Sequence, residues 1–205
     1  MTQNVQPAGS VLTNYGIVAW IVYAVLSGGG HWIGAALGAL VIALAILAHE
    51  HRCHAVKILN CTAAAFFAFS LMTTIAVGPA LFKNYNTFLT WSVFAIVTWV
   101  TLLIGFPFTL QYAREQAPRE VRDHPLFMHL NVILTVAFGL MFTVNAGFGV
   151  VALVTGHLLT LGLLLPISLL IACIVFSTQY PQRYSRRFAP DWVAAQAAKE
   201  GRADD

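Results

Sequence analysis

Six stretches of this chain, residues 11–27, 32–48, 58–82, 87–110, 127–146 and 149–176, contain no Asp, Glu, Lys or Arg. Each is long enough to cross the roughly 30 Å hydrocarbon layer of a bilayer as a helix. Hydrophobic residues make up 59% of the 205 and charged residues only 9%, against about 25% charged in an ordinary soluble domain. Such a chain cannot cover a globule with polar surface, so its solvent must be lipid. The apolar runs are continuous rather than alternating, which selects helices over a β-barrel.

The expected fold is an all-α integral membrane protein with six transmembrane helices arranged as three hairpins. Residues 1–180 form the membrane domain and 181–205 a basic, amphipathic tail. The opening "MTQNVQPAGS" lacks a basic segment before the apolar run and is not read as a cleaved signal.

Charge placement orients the bundle. "HEHRCHAVK", "QYAREQAPREVRDHPLF" and the tail hold every Lys and Arg except Lys83, out of 11. The positive-inside rule then puts both termini in the cytoplasm of an inner (plasma) membrane, as a multi-pass protein. The formal net charge of +3 follows from this asymmetry, and no nucleic-acid partner is expected. In the tail, Arg183, Arg186 and Arg187 face anionic lipid, with Phe188 and Trp192 as interfacial anchors.

A weak internal repeat is also visible. "KILNC" and "MHLNV" open the second and third hairpins, and "FTLQYAREQ" and "FSTQYPQRY" close them. A hairpin repeat keeps its orientation, so these units would be parallel. Recurrent Gln, Tyr and Arg at membrane edges would produce the same pattern without a repeat.

Little in the spans suggests catalysis. All 8 acidic residues lie between or beyond the apolar runs, so no buried carboxylate is expected to carry a proton or a cation. There is no phosphate-binding loop and no nucleophile–base set, so enzyme activity is not expected. What remains is uncharged polarity on helix faces. Asn131, Thr135, Gly139 and Thr143 recur at four-residue spacing in the fifth run. Thr98 and Thr101 share a face with Thr90 and Gly105 in the fourth, and His157 and Thr160 share one with Ser168 in the sixth. These faces should point inward, because lipid offers a hydroxyl no partner. Either they pack helices together or they line a path or pocket. Gly34 and Gly38 form a small-xxx-small face suited to close helix contact, and Pro107 and Pro166 should kink their helices.

Histidine is the other source of chemistry, with 7 in the chain. In "AHEHRCHAVK", a helix continued past the membrane puts Glu50 one turn from His54 and His49 one turn from Cys53. Any of the four, His49, Glu50, Cys53 and His54, could serve a transition metal. The spacing is not that of HExxH, and a closed site needs four converging ligands, so the wet edge of the bundle is the simpler reading. A bis-histidine haem b would need His157 and His31, although His31 is shallow for that role. No cofactor is expected, with haem b or a transition metal as the alternative.

The expected function is a permease or channel-like protein for a small uncharged or weakly charged solute. Its path would be lined by Asn131, Thr135, Thr98, Thr101, His157 and Thr160. One alternative is a non-catalytic membrane subunit whose faces serve a homo-oligomer or a larger complex. The other is a haem- or metal-binding redox component.

Overall fold

The computed structural model of the protein describes residues 16–53, 56–116, 122, 125–156 and 164–188. It is helical throughout, with no strand among the described residues. The helices are α1 (Gly16–Gly28), α2 (Trp32–Arg52), α3 (Ile58–Val77), α4 (Ala80–Leu103), α5 (Phe108–Gln116), α6 (Pro125–Thr155) and α7 (Leu165–Phe188). Among the described residues, four helices (α2, α3, α4 and α6) are long and apolar enough to cross a membrane, while α1 and the apolar part of α7 are shorter.

Helix ends follow backbone chemistry more closely than apolar length. Helix α4 stops at Leu103 because Gly105 adopts φ +78°. The Gly105 amide then donates to the Leu102 carbonyl and the Phe106 amide to the Thr101 carbonyl. That pair of bonds satisfies carbonyls the helix would otherwise orphan, and Pro107 follows where it can start the next helix. The fourth apolar run, 87–110, is therefore not one kinked helix. It is the end of α4 plus the start of α5, with α4 itself beginning seven residues earlier than that run, at Ala80.

The other two boundaries that differ have the same cause. Residues 83–86, "KNYN", which separate the third and fourth apolar runs, lie within α4, because the turn from α3 is made at Gly78, with φ +93°. "NAGFG" lies within α6, whose end comes at Gly156, with φ +75°. A short polar or glycine-rich stretch does not end a helix unless one glycine can go left-handed with its amide bonded backwards. With 31 residues, α6 is about 46 Å long at 1.5 Å per residue. That exceeds a roughly 30 Å hydrocarbon layer even when the helix is tilted, so part of it projects. Pro166 is the second residue of α7 and does not interrupt it.

Two cores hold the bundle. In the first, an alanine stripe on α2, Ala35, Ala36, Ala39 and Ala43, packs with Ala19 and Tyr23 of α1 and with Phe66 and Phe67 of α3. Trp20 lies 4.7 Å from Phe67 and 4.8 Å from Phe94 by ring centroid. Tyr23 donates to Asn86 Oδ1 at 3.2 Å and meets Ser70 Oγ at 3.1 Å, so Ser70 is the donor in that second bond. The stripe, rather than the Gly34–Gly38 pair, makes the close approach: a Cβ at Gly34 would meet nothing within 4 Å, and one at Gly38 only ordinary contacts from α1.

The second core joins α4, α5, α6 and α7 around Phe142, Met141, Phe108, Ala95 and Cys173. Helices α4 and α6 run antiparallel in close contact. A Cβ on Gly139 would lie 3.2 Å from Thr98 Cγ2, and one on Gly149 would lie 2.8 Å from the Phe88 Cα. The Gly149 contact is with backbone, which cannot swing away.

Gly149→Ala should therefore destabilise the protein by about 1–3 kcal/mol, the usual scale for overpacking. Gly34→Ala should be neutral or stabilising by up to about 1 kcal/mol, since the site is open and alanine favours helix. Unfolding in mixed detergent micelles, followed by circular dichroism, measures both; equal losses at the two sites would mean that α4 and α6 are not in this register.

Candidate functional site

The buried face of α6 comprises Asn131, Thr135, Gly139, Phe142, Asn145, Gly149 and Ala152. Its steps mix four and three residues and average close to 3.6, as the helix requires. Strict four-residue spacing drifts by about 40° per step, which carries Thr143 off the seam. Thr143 is exposed; its hydroxyl donates to the Gly139 carbonyl and accepts from Trp99 Nε1. Asn145, wholly buried, takes its place. The α6 periodicity was the available signal for it.

Across the seam, α4 contributes Thr98 and Thr101, both buried. The register set by Thr98 against Gly139 brings Thr101 level with Thr135. Helix α5 contributes Thr109, which sequence reasoning did not single out. Its hydroxyl donates to the Asn131 carbonyl at 2.9 Å and lies 2.8 Å from Thr135 Oγ1, which must then be the donor to it. Four of the residues expected to line a path, Asn131, Thr135, Thr98 and Thr101, are thus brought together. His157 and Thr160 lie outside the described residues.

Three atoms of this seam have no hydrogen-bond partner among the described residues: Thr98 Oγ1, Asn131 Oδ1 and Asn145 Oδ1. A fourth such atom, Thr74 Oγ1, sits on α3 away from the seam. Leaving a buried polar group unpaired costs about 1–3 kcal/mol. Asn145 is served poorly elsewhere too, since its Nδ2 donates to Met141 Sδ at 3.1 Å and to the Pro166 carbonyl at a long 3.4 Å. Asn131 and Asn145 are about 21 Å apart along α6 at 1.5 Å per residue, with Thr98 facing the helix between them. The unpaired atoms are therefore spread along most of the α4–α6 seam, and no Asp, Glu, Lys or Arg shares the buried face of α6.

A charged cluster caps one end of the bundle. Glu50, expected at a wet edge, is buried at the end of α2. Its Oε1 accepts from Asn60 Nδ2 at 2.6 Å and its Oε2 from the Lys57 amide at 3.2 Å. Lys57, also buried, places Nζ 2.9 Å from Glu115 Oε2, 3.8 Å from Glu50 Oε1 and 5.2 Å from the centre of the Tyr112 ring. Gln111 Oε1 accepts the Ile58 amide at 3.0 Å. Burial pushes the Tyr112 phenol well up, with the charges of Glu50 and Glu115 adding to the effect, so Tyr112 stays neutral beside the lysine. Asn60 also occupies the space a Cβ on Gly16 would need, which fastens α1 to the same corner.

Of the metal candidates, His49 and Cys53 do lie one turn apart on an exposed face, with Nε2 and Sγ separated by 3.9 Å. Glu50 turns the other way, into the bundle. No group of three or more His, Cys, Asp or Glu converges among the described residues, and His54 falls outside them. His31 is exposed just before α2, at the end of that helix away from Glu50. Asn60 of "KILNC" and Asn131 of "MHLNV", which open the two units of the suggested repeat, are both buried near the starts of their helices, but α3 has 20 residues and α6 has 31.

No family model matches the chain, nor does any curated protein or solved structure compared with it.

The cluster's two carboxylates should differ sharply on removal. Glu50→Ala leaves Asn60 and the Lys57 amide unpaired in a buried corner and should cost about 3 kcal/mol or more. Glu115→Ala should cost under about 1 kcal/mol, because that side chain is 45% exposed and solvent screens it. Denaturation midpoints in detergent decide this; a larger loss at Glu115 would show that Glu50 is not the buried partner.

Proposed function

We propose that this protein is a permease or channel-like protein that passes a small uncharged or weakly charged solute along the α4–α6 seam. The observation that carries the reading is the set of unpaired buried atoms Thr98 Oγ1, Asn131 Oδ1 and Asn145 Oδ1. Two of these are amide oxygens and can only accept, while a threonine hydroxyl can do either. The matching solute brings donors, as water, a polyol or a urea-like amide does. A cation would demand a compensating charge, and none shares the buried α6 face.

In this reading α1 and α7 complete six spans around the four longer helices. Arg52, Lys57, Arg114 and Arg122 belong to the end where α2 finishes and α3, α5 and α6 begin or lie, whereas Lys83 stands at the other. The positive-inside rule makes the first end cytoplasmic and leaves both termini there, in an inner membrane. The three arginines late in α7, Arg183, Arg186 and Arg187, continue the same end toward anionic lipid.

Thr98→Val tests path against packing. If Thr98 only packs, removing an unpaired hydroxyl should be neutral or stabilising by about 1 kcal/mol, with no other effect. If it serves a solute, the same variant should gain stability and lose permeability. Proteoliposomes under an osmotic jump, followed by stopped-flow light scattering with water, glycerol and urea, report the second quantity. Asn131→Leu and Asn145→Leu should each cut permeability at least tenfold. Wild-type vesicles no leakier than empty ones to all three solutes would dismiss the proposal.

A further inference from the structure

Helix α5 does two jobs with opposite ends of nine residues. Its first turn, with Pro107 just ahead of it, is buried against the seam. Phe108 packs 5.8 Å from Phe138 by ring centroid, and Thr109 bonds both the Asn131 carbonyl and the Thr135 hydroxyl. Its later residues reach the corner between α2 and α3, where Gln111 takes the Ile58 amide and Glu115 takes Lys57.

The attachment to α4 is a hinge in form. Gly105 has φ +78°, a backbone conformation that favours glycine, and the space around it is open, since a Cβ built on it would meet nothing within 4 Å. The attachments to α2 and α3 are unequal. Lys57 is held from the buried side by Glu50, itself fixed by Asn60, and offers Nζ outward to Glu115, whose side chain is half exposed. One half of the ion pair is anchored in the bundle and the other rides on the short helix.

We propose that α5 is a gate over the Arg-rich mouth of the α4–α6 seam, latched shut by Lys57–Glu115 and by Gln111 on the Ile58 amide. The proposal rests on the seam being a path. Released from Lys57, α5 swings about Gly105 and withdraws Thr109 from Asn131 and Thr135, which opens the seam's polar stripe to water at that end. Lys57 stays paired with Glu50, so release strands no charge in the bundle.

The test separates the gate from the path. In a background carrying Cys53→Ser, Cys61→Ser and Cys173→Ser, Thr135→Cys reports exposure of the stripe through its rate of reaction with a charged, membrane-impermeant maleimide. Nanodiscs keep the bilayer and leave both faces open to reagent. The latched protein should react slowly. Glu115→Gln should raise the rate about threefold to fivefold and Glu115→Lys further, while Arg114→Gln, on the exposed side of α5, leaves it unchanged. Both Glu115 variants change a half-exposed side chain, and a monodisperse elution profile confirms their fold. Unchanged rates in both would overturn the gate, as would a latched protein that reacts as fast as one bearing native Cys53. Permeability is then measured with Thr135 intact: Glu115→Gln should raise it in proteoliposomes. Faster labelling with permeability at the empty-vesicle level would keep the α5 motion and refute the path.

Discussion

Lipid offers a polar group no hydrogen-bond partner, and nearly every local choice in this bundle answers to that constraint. Many of the described hydroxyls turn back on their own helix. Thr62 donates to the Ile58 carbonyl, Thr73 to Phe69, Thr143 to Gly139, Thr155 to Val151 and Ser168 to Leu164, all within 2.8 Å. Such bonds let a threonine or serine face hydrocarbon at little cost. Against that background the unpaired groups on α4 and α6 stand apart. They face the seam between α4 and α6, where a valine or leucine would pack without leaving a polar atom unserved.

The two ends of the seam are built differently. Toward Gly149 the helices meet backbone to backbone, and glycine is what permits it. Toward Asn131 the α4 helix has ended, and α5 takes its place against α6, with Thr109 bonding the Asn131 carbonyl and the Thr135 hydroxyl. The far half is thus held by direct helix contact and the near half by a separate short helix. The charged corner of Glu50, Lys57 and Glu115 lies beside the near half. It also ties in Asn60, so that α1, α2, α3 and α5 meet at one place.

Much of this was legible in the sequence, for definable reasons. Uncharged runs reported the four helices long and apolar enough to cross a membrane, because the bilayer penalises charge wherever it falls along them. The polar face of α6 was legible at Asn131, Thr135 and Gly139, where a four-residue step has drifted little from the true period. It was misplaced at Thr143, where the drift had accumulated, and so Asn145 was passed over. Helix ends were less legible. The stretches "KNYN" and "NAGFG" look like turns by composition, but a turn forms where an amide can bond backwards over a left-handed glycine, and Gly78 and Gly156 do that.

By itself the sequence determined the class: an all-helical chain with several helices made for lipid, its basic residues segregated and its buried faces marked by Asn and Thr. Those properties follow from transfer free energies, which are summed along the chain and need no partner. Which polar atoms end up paired was decided only by the tertiary structure. Glu50 reads as a surface carboxylate until Asn60 and Lys57 close over it, and Thr109 as the tail of a span until α5 turns it toward Asn131. Pairing depends on which helices meet and at what register, and that is set by packing between segments far apart in the chain.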